Sequence, residues 1–174
     1  MTKKISAPFG PETVKSLHAG DRVLLSGKIW TGRDAAHKRL CALLDEGKAL
    51  PVNLENELIY FVGPCPAPPG KVIGSAGPTT SGRMDAYSPR LIDSCRLAGM
   101  IGKGSRSAAV VEAMKRGPAV YFAATGGAGA LISKCIKKAD VSAFGDLGPE
   151  AIFRLEIEDL PLVVAIDCYG KSLY

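Results

Sequence analysis

Aromatic residues are scarce in this sequence, at 6%, and basic and aromatic side chains do not alternate anywhere along it. Single-stranded nucleic acid is gripped by base stacking over a basic groove, so that class of function is not expected. The 22 lysines and arginines outnumber the 17 acids and give a net charge of +5, yet they form no long basic block. The positive excess points instead to an anionic substrate or an acidic partner subunit. Long apolar runs are missing too. The longest lies near Leu160 to Ile166, far short of the roughly 20 residues of a membrane helix. The start, Met1-Thr2-Lys3-Lys4-Ile5-Ser6-Ala7-Pro8, has no apolar signal core after its lysines. No membrane association and a cytoplasmic location are expected.

The cysteines are few and scattered. Cys41, Cys65, Cys95, Cys135 and Cys168 are odd in number and include no Cys-x-x-Cys. Disulfides and a zinc knuckle are therefore not expected, and this chain is not expected to hold an iron–sulfur cluster or other metal by itself. Gly126-Gly127-Ala128-Gly129 follows a predicted strand but lacks the third glycine and the later acid of a dinucleotide fingerprint. Gly102-Lys103-Gly104-Ser105 lacks the earlier glycine of a phosphate-binding loop. There is no His-Glu-x-x-His, Gly-x-Ser-x-Gly or carboxylate-rich calcium loop.

What is there is a soluble-type composition, 47% hydrophobic over 174 residues, which suits one domain spanning residues 1–174. Its centre is Gly77-Pro78-Thr79-Thr80-Ser81-Gly82-Arg83-Met84-Asp85, a poor strand and a poor helix that reads as a rigid turn. A short buried strand is predicted before it, at Lys71–Ala76. A helix is predicted after it, capped by Ser88 with Pro89 at the first position. Hydroxyls, backbone N–H groups and a guanidinium in such a turn suit a carboxylate or phosphate.

The chain in order begins with a lead-in over 1–20, packed through Val14 and Leu17. Asp21–Trp30 reads as a strand, followed by Thr31-Gly32-Arg33 and a helix Ala35–Glu46 that Asp34 caps and Gly47 ends. Arg33 and His37 are four apart, so both can face one site. Leu58–Val62 is a strand and Gly63–Gly70 a stiff loop. After the central turn come a helix Pro89–Ala98, a strand Gly99–Gly102, a helix Ala108–Arg116, a strand Ala119–Ala124 and a helix through Lys138. Three strands close the chain, at Val141–Phe144, Ile152–Ile157 and Leu162–Ile166. Repeated strand, polar loop and helix predict an α/β domain with its loops along one edge. The strand-rich end argues for a mixed sheet in a layered domain.

With these loops in view, the sequence resembles the β subunit, or C-terminal domain, of class I fumarases and L(+)-tartrate dehydratases. The carrying segments are Asp21–Gly27, Gly32–Arg39, Gly77–Asp85, Gly102–Ser107, Gly126-Gly127 and Glu158-Asp159-Leu160-Pro161. The resemblance implies a swivelling β/β/α domain that closes over an α subunit carrying a 4Fe–4S cluster, in a hetero-oligomer acting on a small dicarboxylate. By motif match it places Arg33, Thr80, Arg83 and Lys103 on substrate-binding positions. Thr79 and His37 are the proton-transfer candidates, and neither is preferred at this point. Nothing in these motifs is expected to neutralise the three cations. Gly82, Asp85 and Ser105 look fumarase-like rather than tartrate-like, while Ala128-Gly129-Ala130 and Asp167–Lys171 depart from the usual fumarase pattern.

Overall fold

The computed structural model describes residues 1–124 and 129–174. The Gly126-Gly127 motif lies outside the described residues. Among the described residues seven strands pair in the order β1-β2-β3-β4-β5-β7-β6, and β2 also pairs with β7. The strands are β1 (Thr2–Ala7), β2 (Arg22–Thr31), β3 (Leu58–Tyr60), β4 (Gly99–Gly102), β5 (Val120–Ala123), β6 (Ile136–Ala143) and β7 (Ile152–Ile166). The pairings among β1 through β5 are parallel, while β7 is antiparallel to β2, β5 and β6. The sheet is thus mixed, as expected. The pairings β2–β3–β4–β5–β7–β2 close a circuit, with β1 and β6 attached outside it.

Alternation along the short strands sorts side chains to two cores. Leu58, Tyr60, Ile101, Val120 and Phe122 join one cluster with Leu25, Ile29, Leu155 and Val164. Their neighbours Ile59, Phe61, Met100 and Tyr121 join the other, with Leu40, Leu91, Val110 and Met114 from the helices. Those helices are α2 (Asp34–Asp45), α3 (Ser88–Cys95) and α4 (Ala108–Arg116); α1 (Pro11–Lys15) and α5 (Gly129–Cys135) are shorter. Val14 and Leu17 are buried, as expected. Gly27 has φ +110, and a Cβ there would run into the Ala7 backbone, so glycine is required where β1 crosses close to β2.

Several expectations need correction. The lead-in contains β1, an edge strand whose Lys3 and Lys4 are exposed; its charged face hides the alternation. Lys71–Ala76 is irregular rather than a strand. Its bonds run back to Cys65, with Cys65 N–H donating to Ser75 O and Gly74 N–H to Cys65 O, so no ladder is open to it. The last helix stops at Cys135, because Ile136 is buried and pairs with Ile157 at the start of β6. The two final strands are one, β7. Asp159 takes φ +49 and its N–H donates to Ser26 Oγ, which carries the strand through Asp159 to Pro161, opposite Leu24. Ser88 is the first helical residue of α3, and Tyr87 holds the cap position.

Candidate active site

The parallel strands β2, β3 and β4 all end at one edge. The expected gathering of polar loops there is borne out for the loops after these three. Gly32 N–H donates to Tyr60 O at 3.0 Å, so β2 is tied to β3 just before Arg33. Thr79 N–H donates to Phe61 O at 2.7 Å and Ser81 N–H to Lys103 O at 2.9 Å. Thr80 pairs with Lys103 in a parallel bridge. The central turn is therefore a short wedge between the ends of β3 and β4, and Ser81–Met84 winds into one 3-10 turn.

Arg33, half-buried before α2, donates from Nη1 to Thr79 Oγ1 at 3.4 Å, and its Nε lies 3.6 Å from Glu150. Its guanidinium sits against Gly63, where a Cβ would come within 2.7 Å of Cζ. Asp34, next in sequence, makes no capping bond to α2. Instead its carboxylate takes Arg83 Nε at 3.1 Å and Nη2 at 2.7 Å. The reading of Asp34 as a cap and the expectation of unneutralised cations are both corrected: Asp34 and Glu150 face two of the three. Neither acid could be paired with its arginine from the sequence, since 49 residues separate Asp34 from Arg83.

His37 is 1% exposed. Its Nδ1 lies 2.8 Å from Arg33 O, an acceptor only, so Nδ1 carries the proton. Nε2 is buried without a partner. Burial pushes the imidazole down to about 4, only partly opposed by its bond to Arg33. His37 is thus a neutral group beneath Arg33, edge-on to Phe61 at 5.4 Å. That weakens its standing as a proton carrier, since its one proton is held by the Arg33 carbonyl and it binds a second poorly near neutral pH.

Beneath the turn lies a polar cluster that sequence reasoning missed. Arg106 is buried, donating to Asp85 Oδ1 at 2.7 Å and to Ser88 Oγ at 2.8 Å. Tyr121 lies 2.7 Å from both Gly104 O, to which it donates, and Ser81 Oγ. Asp85, Arg106 and Ser107 all stand in the two motifs singled out, but nothing in their spacing shows that they meet.

Four surface cavities, of about 450, 390, 320 and 470 Å³, are lined by none of Arg33, His37, Thr79, Thr80, Arg83 or Lys103. Thr80, Arg83 and Lys103 are exposed at an open edge with Arg33 and Thr79 half-buried beside them, while His37 is buried beneath it. Among the described residues no group of three or more His, Cys, Asp or Glu is placed to hold a metal ion. Burial also raises the thiol pKa of Cys41, Cys95, Cys135 and Cys168, which disfavours the thiolate a cluster needs. The residues present do not fit an iron–sulfur cluster. No helix of the described residues is long and apolar enough to cross a membrane.

An α/β domain whose strand ends bring guanidiniums, an ammonium and hydroxyls to one edge has the chemistry to receive a carboxylate-bearing anion. Residues 4–174 match the family model described as Fumarase C-terminus, and the chain belongs to that family. It is 37% identical over 160 residues to fumarate hydratase 2 of Leishmania major, covering 89% of this chain and 28% of that protein. It is 38% identical over 154 residues to the anaerobic class I fumarate hydratase of Escherichia coli, covering 88% of this chain and 28% of the relative. A protein of Methanocaldococcus jannaschii, provisionally named L(+)-tartrate dehydratase subunit beta, is 38% identical over 166 residues, 92% of this chain and 85% of its own length. The chain thus spans under a third of these two fumarate hydratases and most of the subunit beta. The resemblance drawn from the loops is borne out at the level of family.

Proposed function

We propose that this chain is a single swivelling β/β/α domain acting as the β part of a class I type hydro-lyase, which reversibly hydrates fumarate to L-malate. It supplies the cationic half of a site shared with an α subunit, and the 4Fe–4S cluster belongs to that subunit. Family membership and the names of the relatives support the reaction class. The subunit beta name, matched over 85% of that relative's length, supports a two-chain enzyme. The observation that carries the reading is the open edge where Arg33 bonds Thr79 while Thr80 bridges to Lys103.

Fumarate is a rigid dianion, so two planar forks at fixed separation bind it better than two point charges. Arg33 and Arg83 are those forks and Lys103 is the third charge. In the reverse direction a C–H next to a carboxylate loses its proton, and charge builds on that carboxylate. Cations aimed there stabilise the transition state more than the ground state. The proton goes to Thr79 Oγ1, once that hydroxyl has given up its own proton to solvent, rather than to His37. Thr79 is at the edge and its hydroxyl accepts a hydrogen bond from Arg33, which favours the ionised oxygen a base requires. His37 holds the Arg33 carbonyl and so the start of α2. Thr80 donates to the substrate.

A second reading is an L(+)-tartrate dehydratase β subunit, favoured by the same Methanocaldococcus match. The test is Arg83→Lys in the assembled enzyme. Losing a charge-assisted fork of about 3 kcal/mol lowers kcat/KM for fumarate by on the order of 100-fold, with the melting temperature unchanged. Wild-type kcat and KM would contradict the assignment. Activity on tartrate alone would select the second reading.

A further inference from the structure

The Gly77–Asp85 turn and the loop 103–107 meet at the site, and neither is regular structure beyond one 3-10 turn. Loops of this kind hold a geometry only if something beneath them does. Two buried side chains, Arg106 and Tyr121, tie one to the other. Arg106 has a side chain 0% exposed, in a loop whose neighbours Ser105 and Lys103 face solvent. Its Nε donates to Asp85 Oδ1 at 2.7 Å and its Nη2 to Ser88 Oγ at 2.8 Å, so it grips the far end of the turn and the start of α3. Its Cζ lies over two rings, 5.2 Å from the Phe61 centroid and 5.0 Å from that of Tyr121. The second oxygen of Asp85 accepts the Ser107 N–H at 2.8 Å, which returns the turn to the loop. A parallel clamp runs through Tyr121, whose hydroxyl joins Gly104 O to Ser81 Oγ at 2.7 Å each.

A buried ion pair is weak evidence for stability, because the cost of taking both charges out of water offsets their attraction. It does fix direction, since a fork hydrogen-bonded through Nε and Nη2 and packed over two rings has one placement. We infer that Arg106, acting through Asp85 and seconded by Tyr121, is a positioning residue that sets Thr80 and Arg83 against Lys103. It does not reach the open edge, and so it touches neither substrate nor reacting atoms. The inference rests on the reading of Thr80, Arg83 and Lys103 as substrate-binding residues.

The experiment is a double-mutant cycle in the assembled enzyme between Arg106→Lys and Lys103→Ala, read as kcat/KM for fumarate. Lysine keeps the buried charge and loses the fork. Arg106→Lys alone is expected to cost about tenfold or more and Lys103→Ala about 100-fold, while the double variant falls no more than about threefold below Lys103→Ala, because a residue acting through another is not additive with it. Losses that multiply would overturn the inference, as would a wild-type kcat/KM for Arg106→Lys. A variant that only lowers the melting temperature, with kcat and KM per folded molecule unchanged, would make Arg106 merely structural. If Arg106→Lys does not fold, Tyr121→Phe carries the same cycle, since it removes one hydroxyl from the second clamp. Wild-type activity for Lys103→Ala would instead fault the substrate-site reading, and the inference with it. That outcome is distinct from a failed cycle on an active Lys103.

Discussion

His37 makes the sharpest statement about a single residue. The folded chain binds its proton near pH 4, against 6.5 for the free side chain. Between those values the unfolded chain holds more protons than the folded one, so stability rises with pH across that window. The contribution of His37 is whole above pH 6.5 and is lost as the pH falls toward 4. Its size is about 3 kcal/mol. Urea unfolding of the wild type from pH 7 to 4 is expected to show this loss. His37→Asn, whose amide reaches the Nδ1 position without titrating, removes that part of the pH dependence; an unchanged slope would refute the buried neutral imidazole. The Asp34–Arg83 pair behaves differently. Arg83's side chain is 57% exposed, so the pair belongs to the screened surface class. Asp34→Asn is expected to change unfolding free energy by less than about 1 kcal/mol, which the same urea measurement checks.

At the scale of elements, the join between β4 and the central turn is the tightest point of the site. A Cβ on Gly102 would overlap Ser81 Oγ and come 2.9 Å from Phe61 Cδ2. Gly102→Ala must therefore push the turn away from β4, at a cost of about 1–3 kcal/mol. A melting curve reads that cost, and loss of slow hydrogen exchange at the Ser81 amide reads the displaced bond to Lys103 O. Much of this element structure was legible in the sequence. Gly99–Gly102 and Ala108–Arg116 have the predicted bounds, because short apolar runs between glycines leave little choice. The errors have a common cause. β1, the start of β6 and the middle of β7 are strands because a partner's edge is there to pair with, and no local pattern encodes a partner 20 or more residues away. The site divides the same way. Arg33 and Lys103 are legible as loop residues after strands and Thr79 as a turn residue, whereas the pairing of Arg106 with Asp85 exists only after folding.

At the scale of the whole molecule, the proposed site is half of one. The polar edge is open, and the chain spans 28% of the Leishmania and Escherichia coli fumarate hydratases it matches. The metal-free chain alone is therefore expected to fold and to hydrate no fumarate, and activity in that preparation would refute the shared site. At that edge Arg33 rests against Glu150 and Arg83 against Asp34. A crystal structure of the assembled enzyme with fumarate or L-malate bound tests this most directly. The two substrate carboxylates are expected on the Arg33 and Arg83 guanidiniums, with the Lys103 ammonium within hydrogen-bond reach and the substrate taking over contacts now made by Asp34 and Glu150. A dicarboxylate bound in the enzyme with both arginines still turned to their own acids, and Lys103 in solvent, would contradict the account.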